Sequence, residues 1–137
     1  MKSNKKKLVF FDVITHYGGA LRSTVLLCER LKEFFDVYVL DAYGVCTRYL
    51  EAFEQEGISP RIVLPSARHI YIGHKKNPLK RLLRSAMQIP EMLRLRKALH
   101  REISAIDPDL IWTNSPKSLL FLYKSHTNRV CPIVFYA

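Results

Sequence analysis

Short β-rich runs alternate with helix-spaced segments along the chain, and this alternation limits the fold more than any single motif does. Leu8 to Thr15 (LVFFDVIT) is rich in β-branched and aromatic residues and reads as a buried strand. Leu21 to Phe35 carries apolar residues at Leu21, Val25, Cys28 and Leu31, a helical spacing. Val37 to Leu40 is a second strand. Thr47 to Glu56 is a second helix with Gly57 at its C-terminal cap, and Arg61 to Leu64 is a short third strand closed by Pro65. Ser66 to Asn77 is polar, aromatic and basic and reads as a loop. Pro78 to Ile106 is helical, and a break or kink is expected at Pro90, because proline lacks a backbone donor and crowds the preceding turn. Leu110 to Asn114 is a fourth strand, Pro116 to Lys124 a short helix, and Pro132 to Ala137 a fifth strand.

Strands separated by helices imply parallel pairing, with helices on both faces of the sheet. Right-handed crossovers then give an α/β, doubly wound, mostly parallel Rossmann-like sheet. The expected strand order is 3-2-1-4-5, with a crevice where strands 1 and 4 end. A chain of 137 residues suits a single domain spanning 1–137, and a hydrophobic fraction of 48% supplies its core.

Lys and Arg number 22 against 12 Asp and Glu, a formal net charge of +10, which favours an anionic partner. Cys28, Cys46 and Cys131 are far apart, with no metal-ligand spacing, so reduced structural thiols and no metal are expected in a cytoplasmic protein. Lys2, Lys5, Lys6 and Lys7 before Leu8–Phe11 superficially resemble a signal peptide. Asp12 interrupts the run and no small-residue cleavage site follows, so a first strand is the better reading. No apolar stretch approaches the roughly 20 residues of a spanning helix, so the chain is expected to be soluble or peripheral at the inner membrane face.

In a fold of this kind the first strand-to-helix turn handles the ligand. Glycine there lets backbone amides approach an anion, and the helix dipole favours negative charge. Gly18-Gly19 stands at that place. The residues that follow, Ala20 to Thr24, complete neither G-x-G-x-x-G nor a Walker A loop, which argues against a nicotinamide or ATP fingerprint. Two readings stay open: a diphosphate contact, or a tight turn and nothing more.

The run LVFFDVITHYGGALRSTVLLCERLKEFFDVYVLDA resembles the start of retaining GT-B-fold glycosyltransferases of the group 1, or family 4-like, type. Gly57-Ile58 leading to Val63, and EISAIDPDLIWTNSP before the fourth strand, are similar to later elements of the same family. The resemblance covers nearly the whole chain. It implies half of a GT-B fold: an acceptor-side domain whose Gly18 and Gly19 approach the diphosphate of a nucleotide-sugar donor. It implies a C-terminal nucleotide-sugar domain as partner, a glycan or lipid-linked acceptor, and no cofactor beyond the donor substrate. The family's functional histidine would fall just after Ala137. The chain is therefore expected to be truncated, to hold no catalytic residue and to be inactive alone as a hexosyltransferase in polysaccharide or glycolipid biosynthesis.

Other candidates cluster around the expected crevice. His16 lies in the strand-1 loop, where it contacts a sugar or phosphate or is simply a solvated histidine. Asn114 and Ser115 end strand 4 and suit hydrogen bonds to an acceptor, although a helix cap explains Ser115 as well. Tyr43, after strand 2, is a further candidate for the crevice wall. Asp107 and Asp109 flank Pro108 on the amino side of strand 4, the wrong end for chemistry, and read as structural. No G-x-S-x-G elbow points to a hydrolase.

The span from Lys75 to Arg101 holds nine cations (Lys75, Lys76, Lys80, Arg81, Arg84, Arg94, Arg96, Lys97, Arg101) and one acid, Glu91. Apolar residues at Leu79, Leu82, Leu83, Ala86 and Met87, then Met92, Leu95, Leu99 and Ile103, make the stretch amphipathic. One reading is a surface helix packed on the sheet. The other is attraction to anionic lipid headgroups, worth roughly 1 kcal/mol per cation near the surface, with Lys75, Lys76, Lys80, Arg81 and Arg84 as candidates. Nucleic-acid binding lacks any supporting motif. Two alternatives to glycosyl transfer remain: a free-standing module binding a phosphorylated ligand, and a nicotinamide or flavin enzyme, for which Asp41 supplies the acidic residue ending strand 2.

Overall fold

The computed structural model describes residues 4–65, 77–122 and 131–135. Five strands alternate with four helices: β1 (Lys6–Asp12), α1 (Gly19–Leu31), β2 (Phe35–Asp41), α2 (Thr47–Gln55), β3 (Arg61–Ile62), α3 (Pro78–Ile106), β4 (Leu110–Thr113), α4 (Pro116–Leu122) and β5 (Ile133–Phe135). All strand pairs are parallel, and the sheet order is β3-β2-β1-β4-β5. The chain is thus α/β and Rossmann-like, in the order its alternation predicts.

Alternate residues of the central strands feed two cores, because successive strand side chains point to opposite faces. Val9, Phe11, Leu40 and Ile111 pack with Leu95, Leu99, Ile103 and Ile106 of α3 and with Phe121 and Leu122 of α4. Phe10 and Val39 pack on the other face with Val25 and Cys28 of α1 and Tyr49 and Phe53 of α2. Tyr49 and Phe53 meet edge to face, with ring centroids 5.0 Å apart. Full burial of each such side chain contributes about 1.5–3 kcal/mol, so the two layers of helices, rather than helix propensity, hold the sheet.

The element ends follow from local chemistry. Asp109 ties the starts of β1 and β4 together: its Oδ2 accepts from the Lys7 amide at 2.9 Å, and its own amide donates to the Lys7 carbonyl at 2.9 Å. Asp107, in the left-handed region with φ 52°, ends α3. The two aspartates are therefore structural. Helix α2 ends in a Schellman arrangement. The Gly57 amide donates to the Glu54 carbonyl and the Ile58 amide to the Phe53 carbonyl, while buried Ile58 packs in the same core as Phe53. Gly57 has φ +72°, and an added Cβ would meet only the Lys32 Nζ at 3.8 Å. Gly57→Ala is expected to lower stability by about 1 kcal/mol through backbone strain alone. Urea denaturation reads this directly, and an unchanged midpoint would argue against a left-handed cap.

Of the break or kink expected at Pro90, the break does not occur: helix α3 runs through it. The Ala86 carbonyl that Pro90 leaves without its usual donor belongs to an exposed turn, where water can serve it. Asn77 starts the helix, its Oδ1 accepting from the Leu79 amide at 3.1 Å, with Pro78 in the first turn.

Candidate functional site

Strands β1 and β4 are neighbours in the sheet, yet β1 continues through α1 to β2 on one side and β4 through α4 to β5 on the other. Their carboxyl ends therefore flank a topological switch point, where open α/β sheets present their ligand crevice. Gly18 is the N-cap of α1, extended at φ −135° and ψ −175°, with no side-chain cap. Its carbonyl accepts from the Leu21 and Arg22 amides at 3.1 Å each. The first amides of a helix have no intrahelical acceptor and carry the positive end of its dipole, and no acidic residue occupies this first turn.

Neither glycine is demanded by the fold. Neither has a positive φ, and a Cβ built on either meets nothing within 4 Å. What two glycines leave is open space at both Cβ positions, beside the first amides of α1.

Below this turn lies a buried polar floor that a linear reading of the sequence did not single out. The Asp12 carboxylate ends β1, and its Oδ1 accepts from Ser118 Oγ at 2.8 Å and Thr113 Oγ1 at 3.0 Å. The backbone amides of Asn114 and Ser115 also donate to it. Burial raises the Asp12 pKa above the usual carboxylate range, and these hydrogen bonds offset part of the rise. Ser118 Oγ in turn accepts from the Val13 amide at 3.1 Å. One carboxylate thus fastens the β1 exit, the β4–α4 turn and α4 into a single unit.

Asn114 continues the bracing. Its Nδ2 donates to Thr24 Oγ1 at 2.8 Å, and its Oδ1 accepts from Trp112 Nε1 at 2.8 Å. The side chain joins β4 to α1 across the crevice and positions the glycine turn, so its amide is engaged within the fold. Ser115 is half-buried at the entry to α4, its amide 3.4 Å from Thr113 Oγ1 and its carbonyl accepting from the Leu119 amide.

His16 is exposed in the loop before the glycine turn, with Nδ1 3.2 Å from Thr15 Oγ1. Tyr43 is not a crevice-wall residue. It is 4% exposed, packs in the core that includes Leu95 and Leu99 of α3, and burial pushes its hydroxyl pKa up to about 12. The chain bends into the α3 face immediately after β2, and nothing in the local sequence marks that direction.

Asp41, which ends β2 beside Asp12 in register, is 0% exposed. Its Oδ2 accepts from the Gly44 amide at 3.1 Å, and Oδ1 has no hydrogen bond of normal geometry. Burial raises its pKa to about 6, against the partial opposition of the Ile14, Gly44, Ala42 and Tyr43 amides. A carboxylate sealed in this way is not presented to a ribose, which counts against the nicotinamide reading.

Lys80, Arg81 and Arg84 are exposed on the first turns of α3; Lys75 and Lys76 lie outside the described residues. No metal-holding group of His, Cys, Asp or Glu occurs among the described residues. No helix among them is long and apolar enough to cross a membrane. The chain matches no family model, and comparison with curated proteins finds no match.

Proposed function

We propose that this chain is the acceptor-side, Rossmann-like half of a sugar-nucleotide glycosyltransferase, with the Gly18-Gly19 turn contacting the donor diphosphate. The observation that carries the reading is the open, glycine-lined amide cluster of α1 at the switch point between β1 and β4. The resemblance of the first strand, turn and helix to the GT-B family supports it. In this reading the backbone amides take the diphosphate's negative charge, and the bracing by Asp12 and Asn114 holds them in place before the ligand arrives. His16 and Ser115 flank the acceptor side. The second half of the site comes from a nucleotide-binding domain, the acceptor is a glycan or a lipid-linked glycan, and the reaction takes place on the cytoplasmic side.

The test is titration of the chain with uridine diphosphate and with inorganic pyrophosphate, followed through the backbone amide resonances. Shifts concentrated at Gly18, Gly19 and Ala20 are expected. Gly19→Val is expected to weaken binding about tenfold or more, since its side chain would occupy the ligand's approach. Its thermal midpoint is expected to stay close to that of the parent, because a Cβ there meets nothing within 4 Å. Absence of shifts at the turn, or unchanged affinity in Gly19→Val, would overturn the diphosphate role. Sugar transfer by the protein paired with a nucleotide-binding domain separates an enzyme from a binding module using the same crevice.

A further inference from the structure

Helix α3 carries two apolar stripes that face opposite ways. Its second half packs on the sheet through Leu95, Leu99, Ile103 and Ile106, all buried. Its first half exposes Leu79, Leu82, Leu83, Met87 and Ile89, and Leu93 just beyond Pro90 is exposed as well; Met87 is 80% exposed and Leu83 59%. At about 100° per residue, the centre of this exposed stripe lies about 160° around the helix from the centre of the buried one. The first half therefore does not continue the core contact. It directs a row of large apolar side chains away from the domain.

The same outward side turns basic in the second half. Arg94, Lys97 and Arg101 are exposed there, Lys97 within about 15° of the axis of the apolar stripe and Arg101 about 50° from it. Arg94 is held by Glu91, at 2.9 Å from Nη1 to Oε1. Lys97 and Arg101 have no ion pair or hydrogen bond among the described residues. Residues 77–90 include no acid, and Lys80 borders the apolar stripe.

We propose that this outward face of α3 docks on an anionic lipid surface, the apolar first half entering the headgroup boundary and Lys97 and Arg101, with Arg94, meeting the headgroups. Charge selects this occupant over a second copy of the chain. Pairing two such faces would bring like charges together, and the whole chain carries a formal net charge of +10. Length agrees: the thirteen residues from Pro78 to Pro90 span about 20 Å, enough to lie in an interface and too short to cross a bilayer of roughly 30 Å. Arg81 lies on the side of the helix turned toward the core, so it is set apart from the docking cations.

The experiment is flotation of the full chain with phosphatidylcholine vesicles, with and without phosphatidylglycerol, at low and high salt. No nucleotide or sugar is present, so the outcome is independent of the glycosyl-transfer reading. Binding is expected only with the anionic lipid and is expected to weaken as salt rises. The double change Leu83→Glu with Met87→Glu is expected to abolish it while leaving the far-ultraviolet circular dichroism unchanged, both side chains being exposed. Arg94→Gln, Lys97→Gln and Arg101→Gln together are expected to weaken it about a hundredfold, at about fivefold per cation, and Arg81→Gln by less than about twofold. The proposal is overturned by any of three results. These are no binding to anionic vesicles, binding indifferent to the Leu83 and Met87 changes, and a concentration-dependent dimer in sedimentation that those changes dissolve.

Discussion

Leu99→Ala is expected to destabilise the domain by about 2–5 kcal/mol, whereas Leu83→Ala on the same helix is expected to change stability by less than about 0.5 kcal/mol. Leu99 is 0% exposed and packs in one core with Val9, Phe11, Ile111 and Leu122. Truncating it removes the transfer free energy of the lost carbons and leaves a cavity that the sheet closes only in part. Leu83 is 59% exposed, so truncating it uncovers nothing and opens no cavity. Both changes replace leucine with the better helix former, so helix propensity cannot account for the contrast. For a domain of this size the loss at Leu99 corresponds to a thermal midpoint lower by roughly 8–20 °C. Urea or thermal unfolding in the absence of lipid distinguishes the two. Equal effects at both positions would mean that α3 does not pack on the sheet through its second half alone.

The strand order was legible because it follows from periodicity and handedness. Val9 and Phe11 against Phe10, and Leu40 against Val39, show the alternation that places helices on both faces. The glycine turn was legible by its place after the first strand. The floor beneath it was not. Asp12 looks only like an interruption in an apolar run. Its partners Thr113 and Ser118 stand 101 and 106 residues away. The Thr24–Asn114 bridge spans 90 residues. Such contacts leave no periodic trace, since a hydrogen-bonded pair needs closeness in space and not a spacing in sequence. Tyr43 was misplaced for a related reason: its burial depends on which way the chain leaves β2. The two faces of α3 were partly legible. The apolar spacing marks each half as amphipathic, but which half meets the sheet is shown only by burial.

Asp41 is expected to make the domain less stable at neutral pH than in mild acid. In the unfolded chain its carboxyl titrates near 3.8; in the fold, burial moves it to about 6. A carboxyl whose folded pKa lies above its unfolded value takes up its proton first in the folded state as pH falls. Its contribution to stability is therefore lowest above pH 6, rises as pH falls through that value, and levels off below 3.8. The gap between 3.8 and 6 corresponds to about 3 kcal/mol. Asp41→Asn removes the charge and keeps an acceptor for the Gly44 amide. It is expected to raise stability at pH 7.5 by up to about 3 kcal/mol and to change it little near pH 4. Other carboxyls, Asp12 among them, titrate in both proteins, so the difference between the two unfolding free energies across pH isolates Asp41. A difference that stays flat from pH 4 to pH 7.5 would refute the assignment, as would a variant less stable at neutral pH. A native fold that tolerates this cost carries the charge at the carboxyl end of β2, one strand from the Asp12 brace and beside the crevice that ends at the glycine turn. Local rules of burial are broken most readily where a site is built, and two sealed aspartates in register at the mouth of the sheet are such a break.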